Sequence, residues 1–171
     1  MLPPVAPPQD FNFVTRGGIS RWGKDGDLQI CGFNIITSRG ETNRLISLAP
    51  AKFLLNVVAK ANGDFRCRYG IVLLDHAGLC RARLISPPDS FTAAKGETRC
   101  VEMLLNPVQL GPGEYIVSVS IHHVDHLAKF NSTPRYDLLA RSFELTIELQ
   151  DSLAPVTAEF FHSAEWGFGD G

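Results

Sequence analysis

The run Ser142-Phe-Glu-Leu-Thr-Ile-Glu-Leu149 alternates polar and apolar residues without a break. An extended strand with one dry face and one wet face puts Phe143, Leu145, Ile147 and Leu149 together on one side. The same period of two returns in Glu114 to Val124, where Tyr115, Val117, Val119 and Ile121 oppose Ser118, Ser120 and His122. It returns again in Lys52 to Ala61, with Phe53, Leu55, Val57 and Ala59 on one face. No segment carries a convincing helical period. Strands of this kind each leave one face to be buried, so the chain must stack sheets.

Turn residues cut the chain into about eight strands: Asp27 to Thr37, Arg44 to Leu48, Lys52 to Ala61, Asp64 to Leu74, Leu79 to Ile85, Glu97 to Leu105, Glu114 to Val124 and Tyr136 to Leu149. Asn62-Gly63 reads as a hairpin turn, and Ser86-Pro-Pro-Asp-Ser90 as a loop. Asp75-His-Ala-Gly78 has the residues a type I turn prefers. Pairing Leu73 with Cys80 and Val72 with Arg81 then keeps Phe65, Cys67, Tyr69, Ile71, Leu73, Cys80, Ala82 and Leu84 on the dry face. Arg66, Arg68, Arg81 and Arg83 fall on the other. The expected fold is all-β, an antiparallel β-sandwich. Residues 1–20, Pro-rich at the start, read as a linker or N-terminal extension, and 21–168 as the sandwich domain. The aromatic tail (Phe160-Phe161-His162, Trp166-Gly-Phe168) is expected to pack on this domain or on a second copy.

The 171 residues suit one domain with a real core. A net charge of -2 argues against a general nucleic-acid binder, so no nucleic-acid partner is expected. No apolar run approaches the roughly 18 residues of a membrane span. The N-terminus lacks the pattern of a signal peptide, which makes the cytoplasm the expected compartment. The 4 cysteines form no C-x-x-C pair and are read as free thiols. Phosphate-loop, dinucleotide and nucleophile-elbow motifs are missing, so no enzyme activity and no cofactor is expected.

Three features invite a binding role, and each has a plainer reading. The arginine stripe of Arg66, Arg68, Arg81 and Arg83 is either an ordinary charged sheet face or a site for an anion, since a guanidinium forks onto carboxylate or phosphate. In His122-His-Val-Asp-His126, strand alternation sends His122 and His123 to opposite faces, which argues against a shared metal. The cluster is then a polar strand end, unless His122 joins Ser118 and Ser120 on an exposed face suited to sugar hydroxyls. Trp22 and Trp166 either fill a core or interface or offer an aromatic platform to a sugar.

Several segments together resemble a known family. Arg21-Trp22-Gly23-Lys-Asp-Gly26-Asp-Leu-Gln-Ile30 is similar to the R-[WY]-G-x-G-x-x-x-I opening of the C-terminal glycan-binding domain of O-antigen ABC-exporter ATPases, the Wzt type. It carries one residue more before Gly26. Tyr69-Gly to Asp75-His-Ala-Gly78, Leu110-Gly-Pro-Gly113-Glu-Tyr115-Ile-Val-Ser118, Tyr136-Asp137 and His162-x-x-x-Trp166 resemble later motifs in the same order. The resemblance implies an immunoglobulin-like sandwich that recognises a lipid-linked polysaccharide, often capped, at the inner face of the cell membrane. It also implies a homodimer, and partnership with the ATPase and membrane subunits of an ABC transporter. The expected function is non-catalytic polysaccharide recognition, with Trp22, Arg66, Arg68, Arg81, Arg83, Ser118, Ser120 and His122 as candidate sugar contacts and no metal. The alternative is a dimerisation or protein-interaction sandwich without a sugar site.

Overall fold

A computed structural model describes residues 10–23, 26–124, 135–151 and 156–169. Among them the regular structure is strand: β1 (Asp10–Phe11), β2 (Arg21–Trp22), β3 (Leu28–Thr37), β4 (Gly40–Glu41), β5 (Arg44–Ile46), β6 (Ala51–Ala59), β7 (Gly63–Leu74), β8 (Cys80–Ile85), β9 (Asp89–Ala93), β10 (Thr98–Leu105), β11 (Gly113–His123) and β12 (Arg135–Glu148). One sheet runs β1-β3-β6-β10, with β4 on β3. The other runs β2-β12-β11-β7-β8, with β5 on β12 and β9 on β7. The two stack as a sandwich of immunoglobulin type.

The alternating residues meet between the sheets. Phe33, Phe53, Leu55 and Val57 face Ile71, Val117, Val119, Phe143, Leu145 and Ile147, all essentially without exposure. Phe33 and Phe143 bridge the layers with ring centroids 4.7 Å apart. Full burial of each such side chain contributes roughly 1.5–3 kcal/mol. At the start of β11 the Tyr115 hydroxyl donates to the Gly111 carbonyl at 2.8 Å, closing the corner from which the strand emerges.

The sheets are antiparallel as expected, apart from short β1 and β5, which run parallel to β3 and β12. Several finer expectations are corrected. Asn62-Gly63 joins β6 and β7, which lie in different sheets, so it marks a crossing rather than a hairpin. The loop expected at Ser86 to Ser90 ends in β9, which pairs with β7. The Asp75 to Gly78 turn forms, with Gly78 N–H on the Asp75 carbonyl at 3.0 Å. The register is two residues away from the expected one, with Val72 opposite Arg83 and Leu73 opposite Ala82. An irregularity between Leu73 and Leu74 absorbs the difference. A slip of two preserves each residue's face, but near the turn Cys80 ends up exposed. Residues 10–20 do not stand apart as a linker: Phe11, Phe13, Val14 and Ile19 pack against the core.

Candidate functional site

Strand β11 supplies the floor. With Val117, Val119 and Ile121 turned to the core, alternation sends Ser118, Ser120 and His122 to the outer face of the second sheet. Ser118 lies opposite Val72, which lies opposite Arg83 on β8. On the other flank Ser120 faces Leu138 and His122 faces Arg135. Trp22 of β2 pairs with Leu138 and forms part of the rim.

The face is not open, as the sequence had implied. Residues 13–20 run beside β12, held by Thr15 N–H on the Ser142 carbonyl at 3.0 Å, Ser20 N–H on Ser142 Oγ at 3.0 Å, and Ala140 N–H on the Ser20 carbonyl at 2.8 Å. This segment raises a wall: Thr15, Gly17, Gly18 and Ser20 line one cavity together with Trp22 and the buried Ser118, Ser120 and His122. A cavity of about 690 Å³ results, within the size range of small-ligand sites. Trp22 itself is 63% exposed at the mouth, with its ring available to a ligand.

Trp22 is held in place by its neighbour. Arg21 turns inward, donating from Nη2 to the Ile30 carbonyl at 2.8 Å and placing Nε 3.6 Å from Asp137 Oδ1. Asp137, fully buried, also accepts from Ile30 N–H and Leu138 N–H. Burial raises its carboxyl above the usual range, against the opposing pull of these hydrogen bonds and the Arg21 charge. A Cβ on Gly26 would lie 1.9 Å from the Tyr136 carbonyl oxygen, so the chain can cross β12 there only as glycine. The motif residues Arg21, Gly26 and Asp137 thus build the ledge that carries Trp22.

A bulge next to the floor shapes the far end. The β11–β12 register shifts between Val117 and Val119, and Arg141 sits there with φ 45°, its N–H donating to Ser118 Oγ at 2.8 Å. Bulges of this kind redirect side chains beside sites. Arg141 reaches toward the β7–β8 turn, its Nη2 3.2 Å from where a Cβ on Gly78 would sit.

Ser120 Oγ and His122 Nε2 lie 2.7 Å apart. Burial, and then the charges of Arg135, Arg83 and His123, push the His122 imidazole down to about 4. It is therefore neutral at pH 7, and the floor offers uncharged hydroxyl and imidazole groups.

The structure brings together Trp22, Arg83, Ser118, Ser120 and His122 of the sequence candidates. It leaves the other three arginines outside the cavity lining. Arg66 lies opposite Ser90. Arg68 donates to the Ser86 carbonyl at 3.2 Å. Arg81 is held by Asp75 at 2.9 Å and Glu159 at 3.4 Å. His123 leaves the floor and stacks on Tyr136 at 3.8 Å, while Asp125 and His126 lie outside the described residues. Arg135, Arg141 and the 13–20 wall were missed, having no local sequence signal.

At the C-terminal end, Phe160 bridges to Leu110, with Gly111 N–H on the Glu159 carbonyl and Phe161 N–H on the Gln109 carbonyl. Beyond it Trp166 and Phe168 are 82% and 91% exposed.

No family model and no curated protein matches the sequence. Among solved structures, a CARDB domain of the PF1109 protein from Pyrococcus furiosus aligns over 73% of the chain with a TM-score of 0.43 at 10% identity. The DNA glycosylase AlkC from Pseudomonas fluorescens aligns over 74% of this chain and 32% of its own, with a TM-score of 0.46 at 11% identity. Neither bears on function. The crystal structure of the C-terminal domain of Wzt aligns over 95% of this chain and 93% of that one, with a TM-score of 0.69 at 19% identity. The chain has the fold of the Wzt C-terminal domain.

Proposed function

We propose that this chain is a non-catalytic carbohydrate-recognition domain that binds an O-antigen-type polysaccharide in the cavity on β11 and serves an ABC exporter at the cytoplasmic side of the membrane. The observation that carries the reading is the pairing of the exposed Trp22 ring with a floor of Ser118, Ser120 and His122, on a Wzt-like sandwich. An aromatic ring covers the apolar face of a pyranose, and neutral hydroxyl and imidazole groups meet its hydroxyls. Among the described residues no carboxylate lines the cavity, so the paired acids of glycoside hydrolysis have no counterpart there. The fold supports the exporter context, and the resemblance of the motifs supports the polysaccharide, including a capped terminus.

The test is a glycan array of bacterial O-polysaccharides probed with the wild-type chain and Trp22→Ala. Binding to a subset that drops tenfold or more in the variant supports the reading. Undiminished binding by Trp22→Ala removes the cavity as the site.

The exposed Trp166 and Phe168 favour a second element of the same reading, a homodimer in which the tail is covered by another copy. Light scattering checks it: Trp166→Ser with Phe168→Ser should halve the mass in solution. A wild-type monomer at high concentration rejects it.

A further inference from the structure

We propose that the loop from Thr15 to Ser20 selects which saccharide the cavity accepts: Gly17 keeps ligand room at its tip, and Ser142 is the positioning residue that fastens both of its ends. The inference rests on the reading of the cavity as a saccharide site and names the element that discriminates there.

The floor and the wall differ in how they are built. Ser118, Ser120 and His122 stand on β11, paired on both sides, and the sheet fixes them. The wall is a loop on that scaffold, the usual place for selectivity. One residue closes it. Ser142, fully buried, accepts Thr15 N–H on its carbonyl and Ser20 N–H on its hydroxyl, each at 3.0 Å, and its hydroxyl donates to the Ala140 carbonyl at 3.0 Å. Val14 and Ile19 pack on the core at either end, and Gly18 N–H on the Thr15 carbonyl at 2.9 Å folds the tip into a turn. The tip carries two glycines that both line the cavity. Gly18 has a backbone reason, a φ of 77° that side chains rarely adopt. Gly17 has none of that kind, since its φ is not positive. Nor does packing require it: a Cβ there would meet no protein atom within 4 Å, whereas one on Gly26 or Gly111 would strike backbone at 1.9 or 1.6 Å. Glycine costs more chain entropy on folding than a residue with a side chain. The fold does not use the room at Gly17, and a ligand beside the Trp22 rim and the floor can.

The test uses the full chain on an array of bacterial O-polysaccharides, with Gly17→Ala, Gly17→Leu, Ser142→Ala and the remote surface variant Glu41→Leu. Gly17→Leu should bind the polysaccharide that the wild type prefers about tenfold or more weakly, as overfilling a fitted site does. Gly17→Ala should fall between it and the wild type, and Glu41→Leu should match the wild type. The melting temperatures of both Gly17 variants should stay within about 2 °C of the wild type or rise. A larger fall means that the protein itself uses the space at Gly17, and overturns the proposal. Ser142→Ala keeps the carbonyl that holds Thr15 and removes the acceptor of Ser20 N–H. It should speed hydrogen exchange at the Ser20 amide, leave the Val117 amide protected, and flatten the ranking of polysaccharides on the array. That ranking separates positioning from stability, because partial unfolding weakens every polysaccharide alike. If Ser20 exchange speeds up and the ranking holds, the role of Ser142 is overturned. If Trp22→Ala loses binding while Gly17→Leu keeps the affinity and ranking of the wild type, the saccharide site survives and the selecting wall is overturned. If the wild type captures no polysaccharide, or Trp22→Ala binds undiminished, the saccharide reading itself fails and takes the proposal with it.

Discussion

Asp137, buried on the second sheet, accepts a 2.8 Å hydrogen bond from the main-chain N–H of Ile30 on the first. Arg21 closes the arrangement, touching the Ile30 carbonyl and the Asp137 carboxylate. Asp137→Ala leaves the buried Ile30 N–H without its acceptor and the largely buried Arg21 guanidinium without its charge partner. The expected loss is about 3–5 kcal/mol, the range for breaking a buried pair by removing one partner. Asp137→Asn should cost about 1–3 kcal/mol, since one acceptor remains. Urea unfolding measures both. A loss under about 1 kcal/mol for the alanine variant contradicts the role assigned to this residue.

The His122 imidazole gives a pH dependence with a defined sign. Its folded value is about 4 against an ordinary 6.5. Between those values the unfolded chain binds a proton that the folded chain does not. Stability from this group therefore rises with pH, is complete above 6.5, and is lost as pH falls toward 4. The amount is about 3 kcal/mol, from a difference of about 2.5 pH units. Carboxylates add slopes of their own, so the readout is the difference between the wild-type chain and His122→Gln across pH 4 to 6.5. Parallel curves for the two proteins contradict the assignment.

Tyr69, Asp89 and Arg99 tie the sheets together at another edge. The Tyr69 hydroxyl donates to Asp89 Oδ2 at 2.6 Å, and Arg99 of β10 grips both Asp89 oxygens at 2.7 Å. Burial works to raise the Asp89 carboxyl, but hydrogen bonds from Arg99 and Tyr69 and the Arg99 charge outweigh it and the carboxyl lies low. Tyr69→Phe should cost about 1 kcal/mol and Asp89→Ala about 1–3 kcal/mol. In a double-mutant cycle the pair should be non-additive, because both substitutions remove the same bond. Additive losses mean that the contact contributes nothing.

Gly111 controls the tail. A Cβ there would sit 1.6 Å from the Ala158 carbonyl oxygen, so Gly111→Ala should lift residues 158–161 off the 109–111 segment. Hydrogen exchange should show lost protection at the Phe161 amide, with the Val117 amide in the sheet centre unchanged. Retained protection at Phe161 means that the tail is held by other contacts.

How far these features could be read in advance depended on how local their cause is. Alternation alone placed Phe143, Leu145 and Ile147 inward and put Ser118, Ser120 and His122 on one face, because the period of two is a property of the strand itself. Asn62-Gly63 misled because a tight turn between paired strands and a crossing between sheets use the same residues. The β7–β8 register moved because the ladder is irregular beside the turn, which no local pattern announces. Arg135 and Arg141 reach the cavity only through irregular β11–β12 pairing. The 13–20 wall exists only once Ser142 offers its carbonyl and hydroxyl to Thr15 and Ser20. Glu159, which occupies Arg81, comes from a tail 78 residues away in sequence.

The irregularity beside Ser118 also sets a rule for changes in chain length. Val117 faces Phe143 and Val119 faces Leu139, so two steps along β11 match four along β12. The surplus is two residues, an even number, and so Leu139 and Phe143 both still point inward. Deleting Arg141 alone would reverse every side chain on one side of the break, exposing Leu139 or burying Ala140 in its place. Deleting Ala140 and Arg141 together would restore the parity and yield a straight strand with no arginine beside the floor. Loss or gain of residues in this stretch is therefore tolerable only in pairs, and each pair would change the shape of the cavity while leaving the sandwich intact.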